Sequence, residues 1–203
     1  MRPQNNRLKT AGFAFALTAL LSAPVVASGT DVKLESYTSS VDYRLPMADE
    51  GLPADAPREG TLITVDTEEN VVYLFKDGQL VQKDKAATGM DKVLKKGKRT
   101  FVFRTPKGIA KVLRKIVDPI WTKPDWAFIE KGEKVPPMSS PKRKEKGVLG
   151  KYALDLGDGI LIHGTKDLDS LGQKASHGCI RLGPEMLKAV YEHADVGTPV
   201  YVY

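Results

Sequence analysis

Cys179 is the only cysteine in this chain of 203 residues. It lies in the run Ser176-His177-Gly178-Cys179-Ile180-Arg181-Leu182, shortly after Ile160-Leu161-Ile162-His163-Gly164-Thr165. Two of the three histidines therefore stand close to the one thiol in sequence. A single thiol cannot close an internal disulfide, so it is inert, intermolecular or reactive. A free thiol has a pKa of about 8.5, which leaves only a few per cent as thiolate at neutral pH, and an imidazole that takes its proton raises the reactive fraction. His163 follows an apolar run, which places it at the end of a strand where a rigid scaffold can aim it. The twelve residues 164–175 are enough for a loop that folds back, so His163 can come within hydrogen-bond reach of Cys179. Acyl transfer also requires backbone N–H donors for the developing oxyanion, and Gly178 gives the peptide groups around Cys179 the freedom to point at one spot. His177 is nearer in sequence, but nearness alone does not make it the base.

Blander readings compete with this one. A lone cysteine is often a small buried hydrophobe, and a lone histidine a satisfied polar group. A zinc site built from His163, His177 and Cys179 lacks an obvious fourth ligand and the paired spacing usual for zinc. The chemistry outlined for Cys179 and His163 calls for no metal and no organic cofactor.

The elements that must position these groups read mostly as short strands. Residues 61–66 and 71–75 are rich in β-branched and aromatic side chains, and Lys76-Asp77-Gly78 carries the Asp-Gly signal of a tight hairpin into residues 79–81. Residues 100–104 alternate apolar and polar side chains, Thr105-Pro106-Lys107-Gly108 turns the chain, and residues 110–117 continue as strand or short helix. Residues 152–156 and 159–162 form two more strands separated by Gly157-Asp158. One helix stands out over residues 184–193: Pro184 opens it, Glu185 sits near the positive end of its dipole, and Met186, Leu187, Val190 and Tyr191 share a face. Residues 199–203 close the chain as a strand. There is no internal repeat and no glycine-rich phosphate loop. Trp121 and Trp126, flanking Pro124-Asp125, either wall a groove for an elongated ligand or pack in the core.

The first residues read as an export leader. Arg2, Arg7 and Lys9 precede an uncharged apolar stretch, and Val25-Val26-Ala27 offers a cleavage site after Ala27. The apolar stretch is shorter than the roughly 20 residues that span a bilayer, although an uncleaved anchor is the competing reading. Loss of residues 1–27 removes three basic and no acidic side chains, taking the formal charge from +6 to +3. The remaining excess clusters at residues 92–99 and 141–146, without interleaved aromatics, and reads as solvated loop faces rather than a nucleic-acid surface. A polyanionic envelope partner is a weaker alternative. Residues 28–60, rich in Ser, Asp, Glu and Pro, read as a tether or an arm on the domain surface, and 61–203 as one compact domain.

His163-Gly164-Thr165 followed by Ser176-His177-Gly178-Cys179-Ile180-Arg181-Leu182 resembles the signature of the YkuD-type L,D-transpeptidase family: a histidine, a loop, then Ser/Thr-His-Gly-Cys with Asn or Arg two positions on. Tyr73-Leu74-Phe75, Asp77-Gly78, Thr105-Pro106-Lys107-Gly108, the stretch 121–124, Leu149-Gly150-Lys151-Tyr152-Ala153-Leu154 and Gly197-Thr198-Pro199-Val200 fit in order, so the resemblance covers about 61–203. Arg181 stands where many members carry Asn, and Ile109-Ala110 where a Phe often continues the strand. The resemblance implies a mostly β domain built as a mixed-sheet sandwich with few short helices. It implies a peptidoglycan substrate, with a tetrapeptide stem as donor and a diaminopimelate amine as acceptor. It makes Cys179 the nucleophile and His163 the general base. The carbonyl near Gly164 would orient the imidazole, while His177, Gly178 and Cys179 supply the oxyanion environment. Arg181 would hold a carboxylate, or instead hold its own loop through backbone carbonyls, and Ser176 would orient substrate or cap the turn. Hydrolysis of the acyl-enzyme (an L,D-carboxypeptidase or peptidoglycan hydrolase) and attachment or release of an envelope protein share this chemistry. A noncatalytic peptidoglycan-binding module is the alternative from another class, disfavoured because Cys179 and His163 are both intact. The expected location is the periplasm or another extracytoplasmic part of the envelope.

Overall fold

The structure is a computed structural model and describes residues 32–36 and 47–203. The leader read over residues 1–27 lies outside the described residues. No helix among the described residues is long and apolar enough to cross a membrane.

The chain enters as β1 (Val32–Ser36), β2 (Met47–Asp49) and β3 (Leu52–Pro53), then runs through β4 (Thr61–Asp66), β5 (Val71–Lys76) and the long β6 (Gln79–Gly89). The β5–β6 turn is set by Asp77 and Gly78 at φ of 52° and 76°, the double left-handed conformation that the Asp-Gly pair predicts. A hairpin of β7 (Lys92–Lys96) and β8 (Arg99–Phe103) follows, then β9 (Gly108–Lys111), β10 (Arg114–Val117), β11 (Ile120–Thr122) and the five-residue α1 (Asp125–Ile129). The last third holds β12 (Lys144–Lys146), β13 (Tyr152–Gly157), β14 (Ile160–Gly164), β15 (Lys174–Ser176), β16 (Ile180–Leu182), α2 (Pro184–His193) and β17 (Pro199–Val202).

One mixed sheet carries the order β10-β13-β14-β16-β6-β5-β4-β17-β9, with β15 added beside β6. Its β14–β16 and β17–β4 pairs are parallel; the rest of that path is antiparallel. Both halves of this sheet feed the same core. Ile63, Val65, Val72 and Leu74 from one half meet Leu154, Ile162, Ile180 and Leu182 from the other, with Met186, Leu187 and Val190 of α2 among them. A single flat sheet cannot bring its two ends onto one cluster, so the sheet curls over, which makes the mostly β, mixed-sheet architecture expected from the sequence. The apolar face of α2 lies over β6, β13 and β14, as its 3–4 residue spacing requires.

Strands β4 and β5 are buried on both faces, and the second face explains residues 50–56. Leu52 and Ala56 pack on Leu62, Tyr73, Phe75 and Tyr201. The crossing is tight enough to need a glycine: a Cβ on Gly51 would lie 2.5 Å from the Tyr73 ring, and Gly51 itself is at φ +70°. Thr64 Oγ1 donates to the Gly51 carbonyl at 2.5 Å. Packing against β4 and β5 thus reaches back to Gly51. Earlier still, β1 pairs antiparallel with β7.

The two basic clusters are likewise built into structure. Lys92, Lys95 and Lys96 lie on β7, where Lys95 pairs with Glu35 across the β1–β7 ladder. In the other cluster Arg143 is buried, at 1% exposure, and its guanidinium donates to the carbonyls of Lys123, Pro136 and Pro137 and to Asp125. Five or so hydrogen bonds from one planar group hold the irregular segment 123–143, a role no local pattern announces.

Candidate active site

Sheet register brings the cysteine and histidine together. In the parallel β14–β16 pair Ile162 faces Ile180 and His163 faces Arg181. Ile162 and Ile180 are fully buried beneath α2, so the alternate residues His163 and Arg181 point to the opposite face. Cys179 immediately precedes β16 and shares that face, lying diagonal to His163 and beside Leu161. The Leu161 N–H points at the Cys179 sulfur at 3.4 Å, and the thiol lies 3.6 Å from the Gly159 carbonyl. The thiol thus sits at the mouth of the β13–β14 hairpin. No hydrogen bond joins it directly to the imidazole among the described residues, so the reach expected from the sequence takes the form of adjacency on one face.

His163 is buried, and its Nδ1 lies 2.6 Å from the Gly164 carbonyl. A carbonyl oxygen only accepts, so Nδ1 carries the proton and Nε2 keeps a lone pair for the thiol proton. The geometry behind that contact depends on two glycines. A Cβ on Gly164 would lie 3.0 Å from the Gly150 Cα, and one on Gly150 would lie 2.9 Å from the Gly164 Cα. The backbones meet with no side chain between them, and the Gly164 N–H donates to the Leu149 carbonyl at 2.8 Å.

Electrostatically, both partners rest neutral. Burial pushes His163 down to about 4, with the neighbouring Arg181 adding to the effect and the Gly164 carbonyl opposing it. Burial pushes the Cys179 thiol up, against the Leu161 N–H and Arg181, while Asp155 adds to the rise. Asp155 lies across β13–β14 from Leu161. Against the burial that would raise its pKa, Arg114 and the Gly157 N–H hold the Asp155 carboxyl below its ordinary value.

The loop before the cysteine is closed by its own hydroxyl. Ser176 is buried, accepts from the Gly178 N–H at 3.0 Å and donates to the Cys179 carbonyl at 2.5 Å. Ser176 therefore caps the turn. Gly178 is at φ +130°, and a Cβ there would lie 3.0 Å from the Arg104 carbonyl. Because the Gly178 N–H is already given to Ser176, it is not available to an oxyanion.

His177 is drawn away from the thiol. Its ring stacks on Trp126 at 4.0 Å and 12°, meets Phe103 edge-on at 4.5 Å, and places Nε2 2.8 Å from Glu130. That arrangement removes it from any shared zinc site with His163 and Cys179. Trp121 lies behind Trp126 at 6.0 Å, and Trp126 packs against the cluster of Leu94, Phe103 and Ile129, so packing accounts for this pair of rings. Arg181 is half-buried, and its guanidinium makes no hydrogen bond or ion pair among the described residues. Sequence reasoning read Thr105 only as part of a turn. It is buried at 3% exposure, accepts from the Gly89 N–H at 2.9 Å and donates to the Gly178 carbonyl at 2.9 Å. Glu130, Leu161 and Asp155 were also missed; the first two act through a short helix and a backbone amide, which leave no side-chain motif.

The comparisons with known proteins converge on one family. Residues 60–202 match YkuD, the L,D-transpeptidase catalytic domain. The chain is 30% identical over 209 aligned positions to the probable L,D-transpeptidase ErfK/SrfK of Salmonella typhimurium, covering 98% of this chain and 61% of that protein. It is 37% identical over 95 positions to the probable L,D-transpeptidase YbiS of Escherichia coli, covering 44% of this chain and 30% of that one. An L,D-transpeptidase structure from Mycobacterium smegmatis superposes with a TM-score of 0.51 at 26% identity, over 70% of this chain and 58% of that one. The chain thus spans less than two thirds of each of these proteins, from 30% to 61% of their length. With the match running from the first long strand to the last, and the thiol, imidazole and glycine loop in place within it, the chain belongs to the YkuD family of L,D-transpeptidase catalytic domains.

Proposed function

We propose that this protein is an exported cysteine acyltransferase that cross-links peptidoglycan stem peptides through third-position residues. The observation that carries the reading is a neutral imidazole of fixed tautomer lying beside the only thiol on one face of the β14–β16 pair. When a stem peptide lies over Cys179, the Sγ–H proton passes to His163 Nε2 as sulfur attacks the carbonyl of the third stem residue. The C–S bond forms, the C–N bond to the terminal D-alanine breaks, and the imidazolium returns its proton to the departing amine. The Gly164 carbonyl stabilises that transient imidazolium, which burial alone would disfavour. An amine of a second stem then attacks the thioester, and the regenerated thiol takes back its proton. The Cys179 N–H, joined by that of His177, faces the oxyanion, since the Gly178 N–H is committed to Ser176. Arg181, whose guanidinium has no hydrogen-bond or ion-pair partner among the described residues, takes a substrate carboxylate. The leader read at residues 1–27 would deliver the enzyme outside the cytoplasm, where this substrate lies.

The test is incubation of the mature protein and a Cys179→Ala control with purified disaccharide tetrapeptide, read by mass spectrometry. Cysteine-dependent dimers that have lost one D-alanine are the expected product. Cysteine-dependent tripeptide alone would replace cross-linking with carboxypeptidase activity. Equal product from both proteins would overturn the cysteine mechanism.

A further inference from the structure

The backbone at Arg104 and Thr105 is wedged between two glycines. On one side a Cβ on Gly89 would collide with the Thr105 backbone nitrogen, and on the other a Cβ on Gly178 would lie 3.0 Å from the Arg104 carbonyl. Only bare backbone fits on either flank, which brings the end of β6, the segment after β8 and the cysteine loop into direct contact. The Thr105 hydroxyl bridges all three. It has one proton, and because it accepts from the Gly89 N–H at 2.9 Å, that proton is free to go to the Gly178 carbonyl, also at 2.9 Å. The chain of donors therefore runs one way, from β6 through Thr105 into the nucleophile loop, in a site with little exposure to water.

The consequence for the site follows from the geometry of one peptide unit. The Gly178 carbonyl and the Cys179 N–H belong to the same planar trans peptide, so they point in opposite directions. Pulling the carbonyl inward onto Thr105 turns the Cys179 N–H to the side away from Thr105. At φ +130° Gly178 is the joint that permits this orientation but does not enforce it. We infer that Thr105 is a positioning residue for the oxyanion site: its hydroxyl locks the Gly178–Cys179 peptide so that the Cys179 amide is already aimed when the tetrahedral intermediate forms. The inference rests on the acyl-transfer reading above and adds a residue that does not touch substrate.

The experiment compares two reactions of the same thiol. Acylation by 4-nitrophenyl acetate passes through an oxyanion: the thiol proton goes to His163, the C–S bond forms and the C–O bond to 4-nitrophenolate breaks. Alkylation by iodoacetamide displaces iodide at a saturated carbon and forms no oxyanion. Thr105→Val keeps the shape and removes the hydroxyl, and is expected to slow acylation by about 10- to 100-fold, in the range for a misaligned or lost oxyanion donor. Alkylation should stay within about twofold of wild type, and Thr105→Ser should restore acylation by returning the donor. Should the valine variant not fold, Thr105→Ala provides the same comparison of the two rates. Equal acylation by wild type and hydroxyl-free variant would overturn the role of Thr105 alone. A parallel fall in both reactions would also overturn it, assigning Thr105 to holding the thiol rather than the amide. No cysteine-dependent acylation of the wild type would overturn this inference together with the acyl-transfer reading.

Discussion

Alkylation of Cys179 by iodoacetamide, followed from pH 5 to pH 9, separates two ways in which a thiol and an imidazole can be prepared for attack. In an ion-pair mechanism the resting enzyme holds thiolate and imidazolium, and alkylation is already fast and flat at pH 5–6. Here burial drives both groups towards their neutral forms, His163 down to about 4 and the thiol upwards from its ordinary value. An unshifted thiol near 8.5 is only a few per cent ionised at pH 7, and burial lowers that fraction further. The alkylation rate should therefore rise about tenfold per pH unit across pH 6–8, the slope of a group titrating well above the working range. Acylation of the same protein should instead be level over that range, because its reactive form is the neutral pair. It should fall only on the acid side, as His163 takes a proton with a midpoint near 4. His163→Asn should leave alkylation nearly unchanged while lowering acylation by about 10²- to 10⁴-fold, the usual contribution of a positioned base. A flat alkylation profile from pH 5 upwards would refute the neutral-pair argument, whatever the acylation profile.

Three further outcomes follow from particular contacts. Gly164→Ala would bring a Cβ to 3.0 Å from the Gly150 Cα and 3.1 Å from Leu187 Cδ2, and should cost about 1–3 kcal/mol in urea denaturation, with acyl transfer impaired as the carbonyl on His163 Nδ1 shifts. Unchanged stability would mean that the two glycine backbones separate without cost. Arg181→Lys should raise KM for a carboxylate-bearing stem by about 10- to 100-fold with a smaller change in kcat, since a point charge replaces a two-pronged donor; an unchanged KM would remove the carboxylate from this position. His163 also links stability to pH. Its folded pKa is depressed from 6.5 to about 4, so its contribution is fully present above about pH 6.5 and is lost as pH falls towards 4, amounting to about 3 kcal/mol. His163→Asn should remove that component from the urea midpoint between pH 7 and 4, leaving the carboxylates' share; parallel curves for the two proteins would refute it.

Local chemistry made some of this molecule legible in its sequence. The Asp77-Gly78 turn, the opening strands β4 and β5 and the helix α2 carry their own conformational signals, and the structure has them where those signals fall. The placement of His163 at a strand end follows from its apolar run, and β14 ends at Gly164. Elements whose form depends on distant partners were not legible. Residues 110–117 divide into β9 and β10 because β17 and β13 take one each. The short α1 has no amphipathic length; its Asp125 is held by Arg143 and its Trp126 by His177. Leu52 and Ala56 are scattered apolar residues in a polar stretch, and only the outer face of β4 and β5 gives them something to cover.

Backbone contacts are the least visible layer, and they bear most directly on the chemistry. Gly89 and Gly178 admit the 104–105 backbone between them, and Gly150 and Gly164 admit each other. In each case the missing side chain is the structural content, and the residue it bears on is a chain neighbour of one glycine: Cys179 beside Gly178, His163 beside Gly164. A motif reading finds Cys179 and His163 because a thiol and an imidazole are side chains able to react. It meets Thr105 only as part of a turn, and the hydroxyl is recognisable as a positioning group only once the peptide it grips is known to be the one carrying the Cys179 amide. The His163 imidazole and the loop carrying Cys179 are thus both held through carbonyls, those of Gly164 and Gly178. An otherwise tolerated change at any of the four glycines should therefore reach the reacting atoms without touching them.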